Sequence, residues 1–253
     1  MSGRDERGRR VQAVTSDLWY TMIYLTRTDR RRWETTRRTI WIEELAAIGM
    51  SPAVAGHWIR REELRVEKRE LAGQSPSIAA RLRAVTEGTG RHPDVARLRR
   101  RLDRALGETP IRLAPGVLPA LDALARKGIP VGLVSNVVFE TPEGIRSILR
   151  RLGIASRLSA IVLSAEIGYA KPRPEPFRAC LRALRTKAEA AVHVGDRPND
   201  VEGALRAGLR PILYTGLQRS SPWARAALAE VGDLEVPHLQ RWHDLPDLLE
   251  TLR

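Results

Sequence analysis

Apolar residues fall along this chain in two rhythms. Five short runs are predominantly apolar and end in polar residues: 11–16, 129–135, 160–163, 191–195 and 211–214. Runs of that kind predict strands buried on both faces of a parallel sheet, with their chemistry at the carboxyl ends. Between the later runs, 116–126, 143–152, 174–184 and 201–207 read as helices. The alternation predicts an α/β fold, a Rossmann-like parallel sheet with helices on both faces.

The interval from Tyr24 to Arg112 keeps a different rhythm and holds no convincing strand. Trp33, Arg37, Ile40, Trp41, Leu45 and Ile48 recur at helical spacing. Ser51 followed by Pro52 signals a helix start, and the Ser-Pro pair in "SPSIAARLRAV" repeats it. Val95, Leu98, Leu102 and Leu106 mark one face of a fourth helix. The expected organisation is a discontinuous α/β core at 1–23 and 112–253, with an all-helical lobe at 24–111 able to close over the carboxyl edge of the sheet. Residues 1–9 are expected to fray.

Four of the polar endings carry the candidate chemistry. Asp17 ends the first run, in "VQAVTSDLWYTM", and "GLVSN", "GYAKPRPEPF" and "AVHVGDRPND" follow the same plan. Endings that converge on one carboxylate suggest a nucleophile or a metal site. Alone, each has a plainer reading. Asp17 can be a helix cap, Ser135-Asn136 a turn, Lys171 a surface residue and Asp200 a cap for a helix starting at Val201. His57, His92, His193, His238 and His243 show no ligand spacing and read as structural or exposed.

Composition narrows the function classes. The 253 residues are enough for a sizeable core. No apolar run reaches the roughly 20 residues of a membrane span, and no signal-type stretch follows the basic start, so a cytoplasmic protein without membrane contact is expected. The single cysteine, Cys180, excludes an internal disulfide and reads as buried and inert. Net charge is +13, and only Lys68, Lys127, Lys171 and Lys187 of the 43 cations are lysine. The arginines are spread over nearly every helix among glutamates. That argues against a specific nucleic-acid site and for attraction of a small anionic substrate.

In order and spacing these segments resemble the motifs of the haloacid dehalogenase superfamily, over nearly the whole chain. The resemblance implies that Asp17 is the nucleophile and Thr21 the threonine four residues on. Ser135 and Asn136 match the second motif, and Lys171, Pro172, Pro174 and Phe177 match the third. Asp196 and Asp200 match the acids of the fourth. It further implies a cap after the first motif and an Mg²⁺ ion held by Asp17, the Trp19 carbonyl and Asp196, with Asp200 in support. The chemistry suits these types: an in-line nucleophile, oxygen ligands for a hard cation, and a lysine to hold like charges together.

The pattern breaks at Trp19. Phosphatases of that family carry a second aspartate there, which protonates the leaving oxygen and then activates water. An indole donates a hydrogen bond but transfers no proton near neutral pH, and general acid–base catalysis is worth roughly 10²–10⁴-fold. Tyr20 stands where glycine is usual, and two rings beside Asp17 are expected to reshape the pocket. The resemblance implies a Mg²⁺-dependent phosphohydrolase, and the lack of a carboxylate at position 19 then predicts that hydrolysis of an aspartyl-phosphate is its slow step. A dehalogenase-like hydrolase stays open, since those members place an aromatic residue at position 19. So does a weak member that acts by binding. Trp33, Trp41 and Trp58 read as core more than pocket. Arg30, Arg31, Arg32, Arg37 and Arg38 read as a solvated face more than an anion site.

Overall fold

The computed structural model describes residues 10–87, 89–217 and 235–252. The expected fraying of residues 1–9 lies outside them. Strands β1 (Ala13–Ser16), β4 (Val131–Ser135), β5 (Ala160–Leu163), β6 (Ala191–Gly195), β7 (Arg210–Tyr214) and β8 (His238–Leu239) form one sheet in the order β5-β4-β1-β6-β7-β8. Every pairing in it is parallel. β1, the centre of the sheet, is buried at all four positions. β4 and β6 flank it, so strand order reverses at β1 and a crevice opens beyond its carboxyl end.

Both faces of the sheet are covered, because alternate residues point to opposite sides. Val14, Leu133, Val192 and Val194 face a core that includes Leu121 and Leu124 of α5 (Val117–Arg126), Ile145 and Ile148 of α6 (Pro142–Arg151) and Leu249 of α10 (Leu245–Thr251). Ala13, Val134 and Ala191 face Phe177 and Cys180 of α8 (Pro174–Leu184) and Ala204 of α9 (Pro198–Ala207). Cys180 is fully buried, and burial pushes its thiol up to about 12. The short α7 (Ser164–Ile167) follows β5. Among the described residues no helix is long and apolar enough to cross a membrane.

Between β1 and the rest of the sheet lie four helices: α1 (Arg27–Ala47), α2 (Pro52–Leu71), α3 (Ile78–Thr86) and α4 (Val95–Glu108). Polar caps start each one. Thr26, Ser51, Ser77 and Asp94 accept from the backbone N–H three residues on, satisfying donors that the helix leaves open. The Ser-Pro pair at 75–76 does not open α3. Ser77 does, which leaves Ser75 free for a contact described below. α1 packs along α2 and α4, and α4 also packs on α6 of the core. The chain enters and leaves this insert through a two-residue antiparallel ribbon absent from the sequence reading, in which β2 (Ile23–Tyr24) pairs with β3 (Arg112–Leu113).

A candidate active site at the carboxyl edge

β1 delivers Asp17 into the crevice, where its N–H donates to Val194 O at 2.9 Å and ties the first strand end to the fourth motif. The chain then folds tightly back. Met22 and Ile23 N–H both donate to Leu18 O, and Tyr20 N–H donates to Ile23 O at 2.6 Å. Tyr20 has φ +57°, the left-handed region that glycine enters freely and tyrosine does not. This turn presents both Trp19 and Tyr20 to a cavity of about 170 Å³ over Asp17.

Lys171 joins the motifs. Its ammonium donates to Asp17 Oδ1 at 2.5 Å, Asp200 Oδ1 at 2.6 Å and Val134 O at 3.0 Å, which uses all three donors. Asp200 is held from further sides. His193 Nε2 lies 3.4 Å from its Oδ1, and the Arg197 N–H donates to its Oδ2 at 3.0 Å. It is therefore not the N-cap of a helix starting at Val201. α9 begins at Pro198, whose fixed φ suits a first turn, and Asp200 reaches back from its third position. Gly195 makes this possible, because a Cβ there would collide with the Asp200 side chain.

Electrostatics follow from burial. One oxygen each from Asp17, Asp196 and Asp200 lies within 4.8 Å of the others, and all three residues are buried. Burial pushes the Asp17 carboxyl up to about 6, against the opposing pull of Lys171 and with Asp200 adding repulsion. Burial also opposes charge on Asp200, but Lys171 and His193 outweigh it and hold that carboxyl below the usual range. Desolvation lowers His193 and keeps it neutral. Thr15 Oγ1, 2.9 Å from His193 Nδ1, and the edge of Phe177 fix the ring. His193 is thus structural, with the specific task of seating Asp200.

The other sequence-derived residues divide. Asp17, Trp19, Asn136 and Lys171 line the cavity. Thr21, the threonine four residues after Asp17, is fully buried and donates to Asp196 Oδ1 at 3.5 Å, so it steadies an acid. The Asn136 amide is engaged in a two-way bond with the Lys171 backbone, at 2.8 and 3.1 Å. Ser135 Oγ is buried and makes a long 3.4 Å bond to Asn136 O. Of the tryptophans, Trp33 lines the cavity and donates to Glu140 at 3.4 Å, whereas Trp41 is buried core. The arginine face of α1 also divides. Arg31, Arg32 and Arg38 are exposed, but Arg30 lines the cavity and Arg37 is buried against Glu63 at 2.8 Å.

Sequence reading missed how the insert reaches the site. Glu70, in the last turn of α2, lines the cavity beside Asp17 and Lys171. Its Oε1 accepts from Asn136 Nδ2 and Arg197 Nη1, both at 3.0 Å. The chain beyond Glu70 docks on the core. Ala170 N–H donates to Gly73 O, Ser75 N–H donates to Gly168 O, and Ser75 Oγ lies 2.8 Å from Ser164 Oγ. In return Phe139 of the core lies under the Arg37 guanidinium, 3.6 Å from its ring centroid. A signal for Glu70 existed. α2 buries Ala55, Ile59, Glu62, Glu63, Val66 and Glu70 on one stripe, and acids on a core-facing stripe demand partners.

Comparisons with known proteins give the family and the fold. The profile of a family described as haloacid dehalogenase-like hydrolase matches residues 21–208. A phosphoglycolate phosphatase of Rhodospirillum rubrum is 37% identical over 123 residues, 48% of this chain and 47% of that protein. One from Escherichia coli is 30% identical over 171 residues, 66% of this chain and 62% of that protein. The chain therefore spans about half to three-fifths of the length of these curated relatives. Among solved structures, a 2-haloacid dehalogenase from Pseudomonas syringae superposes with a TM-score of 0.65 at 25% identity, covering 96% of this chain and 100% of that one.

Proposed function

The chain belongs to the haloacid dehalogenase-like hydrolases, and on that premise we propose that it transfers the phosphoryl group of a small anionic metabolite to Asp17 and then to water, with Mg²⁺, in the cytoplasm. The observation that carries this reading is the buried trio Asp17, Asp196 and Asp200 with one ammonium, Lys171, between two of them. These three buried carboxylates crowd against Lys171 with Arg197 near them, and a cation would relieve their mutual repulsion. An all-oxygen donor set fits Mg²⁺. Asp17 and Asp196 would hold it with the Trp19 carbonyl, and Asp200, whose oxygens are already engaged, would support them. When bound, the ion supplies positive charge to the phosphoryl oxygens.

The chain's own residues supply the rest. Asp17 attacks phosphorus in line, and the leaving oxygen departs with its electron pair. Lys171 keeps Asp17 ionised in a site whose burial favours the protonated form. Ser135 can exchange its long bond for one to a phosphoryl oxygen. The insert acts as a cap that bounds the cavity with Arg30, Trp33 and Glu34. Trp19 Nε1, Arg30 Nε and Asn199 Oδ1 line that cavity or its rim and are buried without a hydrogen-bond partner among the described residues. Two orphan donors suit a ligand rich in acceptors. Trp19 gives no proton to the leaving group, so acyl and aryl phosphates should react best.

A purified sample tested against phosphate esters, acyl phosphates and 2-haloacids, with and without Mg²⁺, decides the matter. Mg²⁺-dependent phosphate release, lost in Asp17→Asn, is expected. A second reading is favoured by the aromatic residue at position 19 and by the likeness to a 2-haloacid dehalogenase. Metal-independent halide release, also lost in Asp17→Asn, would replace the first reading with it.

A further inference from the structure

We propose that Glu70, brought from the helical insert, is the general base for the second half of the reaction, in place of the acid that Trp19 has displaced. The inference rests on the phosphoryl-transfer reading above. Trp19 can take no proton from water, so the aspartyl-phosphate needs a carboxylate from elsewhere. Glu70 lines the cavity that contains Asp17 and Lys171. It is 9% exposed, so its carboxylate is shielded from bulk water without being sealed from the cavity. Both of its side-chain bonds fall on Oε1, from Asn136 and Arg197. Oε2 has no hydrogen bond among the described residues and is not among the buried unpartnered atoms, so water can reach it.

The surroundings hold the Glu70 carboxylate in place. The Arg197 guanidinium pairs with it, 3.0 Å from Oε1. Asn136 donates to the same oxygen and to Lys171 O, which ties Glu70 to the loop that carries Lys171. In the step, a water oxygen bonds to phosphorus and the bond between phosphorus and the Asp17 oxygen breaks, returning Asp17 as a carboxylate. The water proton passes to Glu70 Oε2 and leaves to solvent with product. An ionised Glu70 does not assist the first step, so the need for a good leaving group remains.

Glu70→Gln tests this, because Gln Oε1 still accepts from Asn136 and Arg197 and keeps the insert docked. The assay uses 4-nitrophenyl phosphate with Mg²⁺. First-turnover nitrophenolate release reads formation of the intermediate, and decay of ³²P-labelled enzyme after a chase reads its hydrolysis. The variant should keep first-turnover release within about threefold and lengthen the labelled intermediate's lifetime at least about tenfold, the lower reach of lost general base catalysis. Decay at the wild-type rate overturns the proposal. So does an equal fall in both steps, the mark of a purely docking role. Wild-type turnover without any labelled enzyme in either protein overturns the phosphoryl-aspartate reading as well, which separates the two failures.

Discussion

The sheet edge and the helical insert both bury charge, and they do so in opposite ways. In the insert the charges balance. Arg37 pairs with Glu63 at 2.8 Å, and Arg81 lies 3.5 Å from Glu62, with all four side chains below a tenth exposed. Burial pushes Arg81 down to about 10, yet its Nη1 still donates to Val138 O at 2.8 Å. At the sheet edge, among the described residues, acids crowd together instead. Asp17, Asp196 and Asp200 each bring an oxygen within 4.8 Å of the others, with Lys171 between two of them and Arg197 on Glu70. A balanced buried network orders a fold, whereas a crowd of acids stores a demand for an ion or substrate. The latch at Glu70 is where the two kinds meet.

The largest effect should come from the crowded side. Asp17→Asn should cut turnover by on the order of 10⁴-fold or more, as removal of a nucleophile does, while circular dichroism stays native. Residual turnover within tenfold of wild type would dismiss Asp17 as nucleophile. On the balanced side, Glu63→Ala should cost about 3 kcal/mol in urea unfolding, because it strands Arg37 in a buried site. The pair Arg37→Met with Glu63→Leu should recover most of that. If the double variant is no better than the single one, the network is not the structural device described above.

Trp19→Asp should sharpen the contrast by restoring a proton relay. Steady-state hydrolysis of an alkyl phosphate should rise on the order of 10²-fold. An unchanged rate, with neither a burst nor trapped phosphoenzyme in wild type, would remove the phosphoryl reading. Calorimetric titration with Mg²⁺ should then show affinity that Asp196→Ala lowers at least about tenfold and Glu62→Gln leaves intact. Equal losses in both would mean that the crowding of acids at the sheet edge does not govern cation binding.

The smallest effect is one of pH. Burial raises Asp17 from 3.8 to about 6, so the folded state binds this proton more tightly than the unfolded chain. The group's contribution to stability is present below about 4 and is lost as pH rises through about 6. Measured without added metal, wild-type stability relative to Asp17→Asn should therefore decline between those limits. A difference that grows with pH would mean that Lys171 outweighs burial at Asp17.

Most of the sheet was legible because a strand buried on both faces must be apolar along its length. The run at 191–195 could hardly be anything else, and β6 occupies those five positions. The two-residue strands β2, β3 and β8 left no such trace, since pairs that short show no period. α9 reaches three residues further back than the apolar pattern, because Pro198 serves as a first-turn residue and Asn199 and Asp200 are polar helical positions. The motif acids were readable because they end apolar runs. Glu70, Arg30 and Phe139 were not, because their neighbours in space are distant in sequence.

By itself the sequence determined the parallel α/β core, the helical content of the insert, and the convergence of Asp17, Lys171, Asp196 and Asp200, since each is written in local period and in motif order. It also determined that Trp19 cannot carry a proton, which is a property of indole alone. Only the tertiary structure decided where a carboxylate is found instead. Chain contacts made across the whole molecule set Glu70 against Asn136 and Arg197, and a meeting of that kind depends on how α2 packs onto the core, which no local pattern encodes.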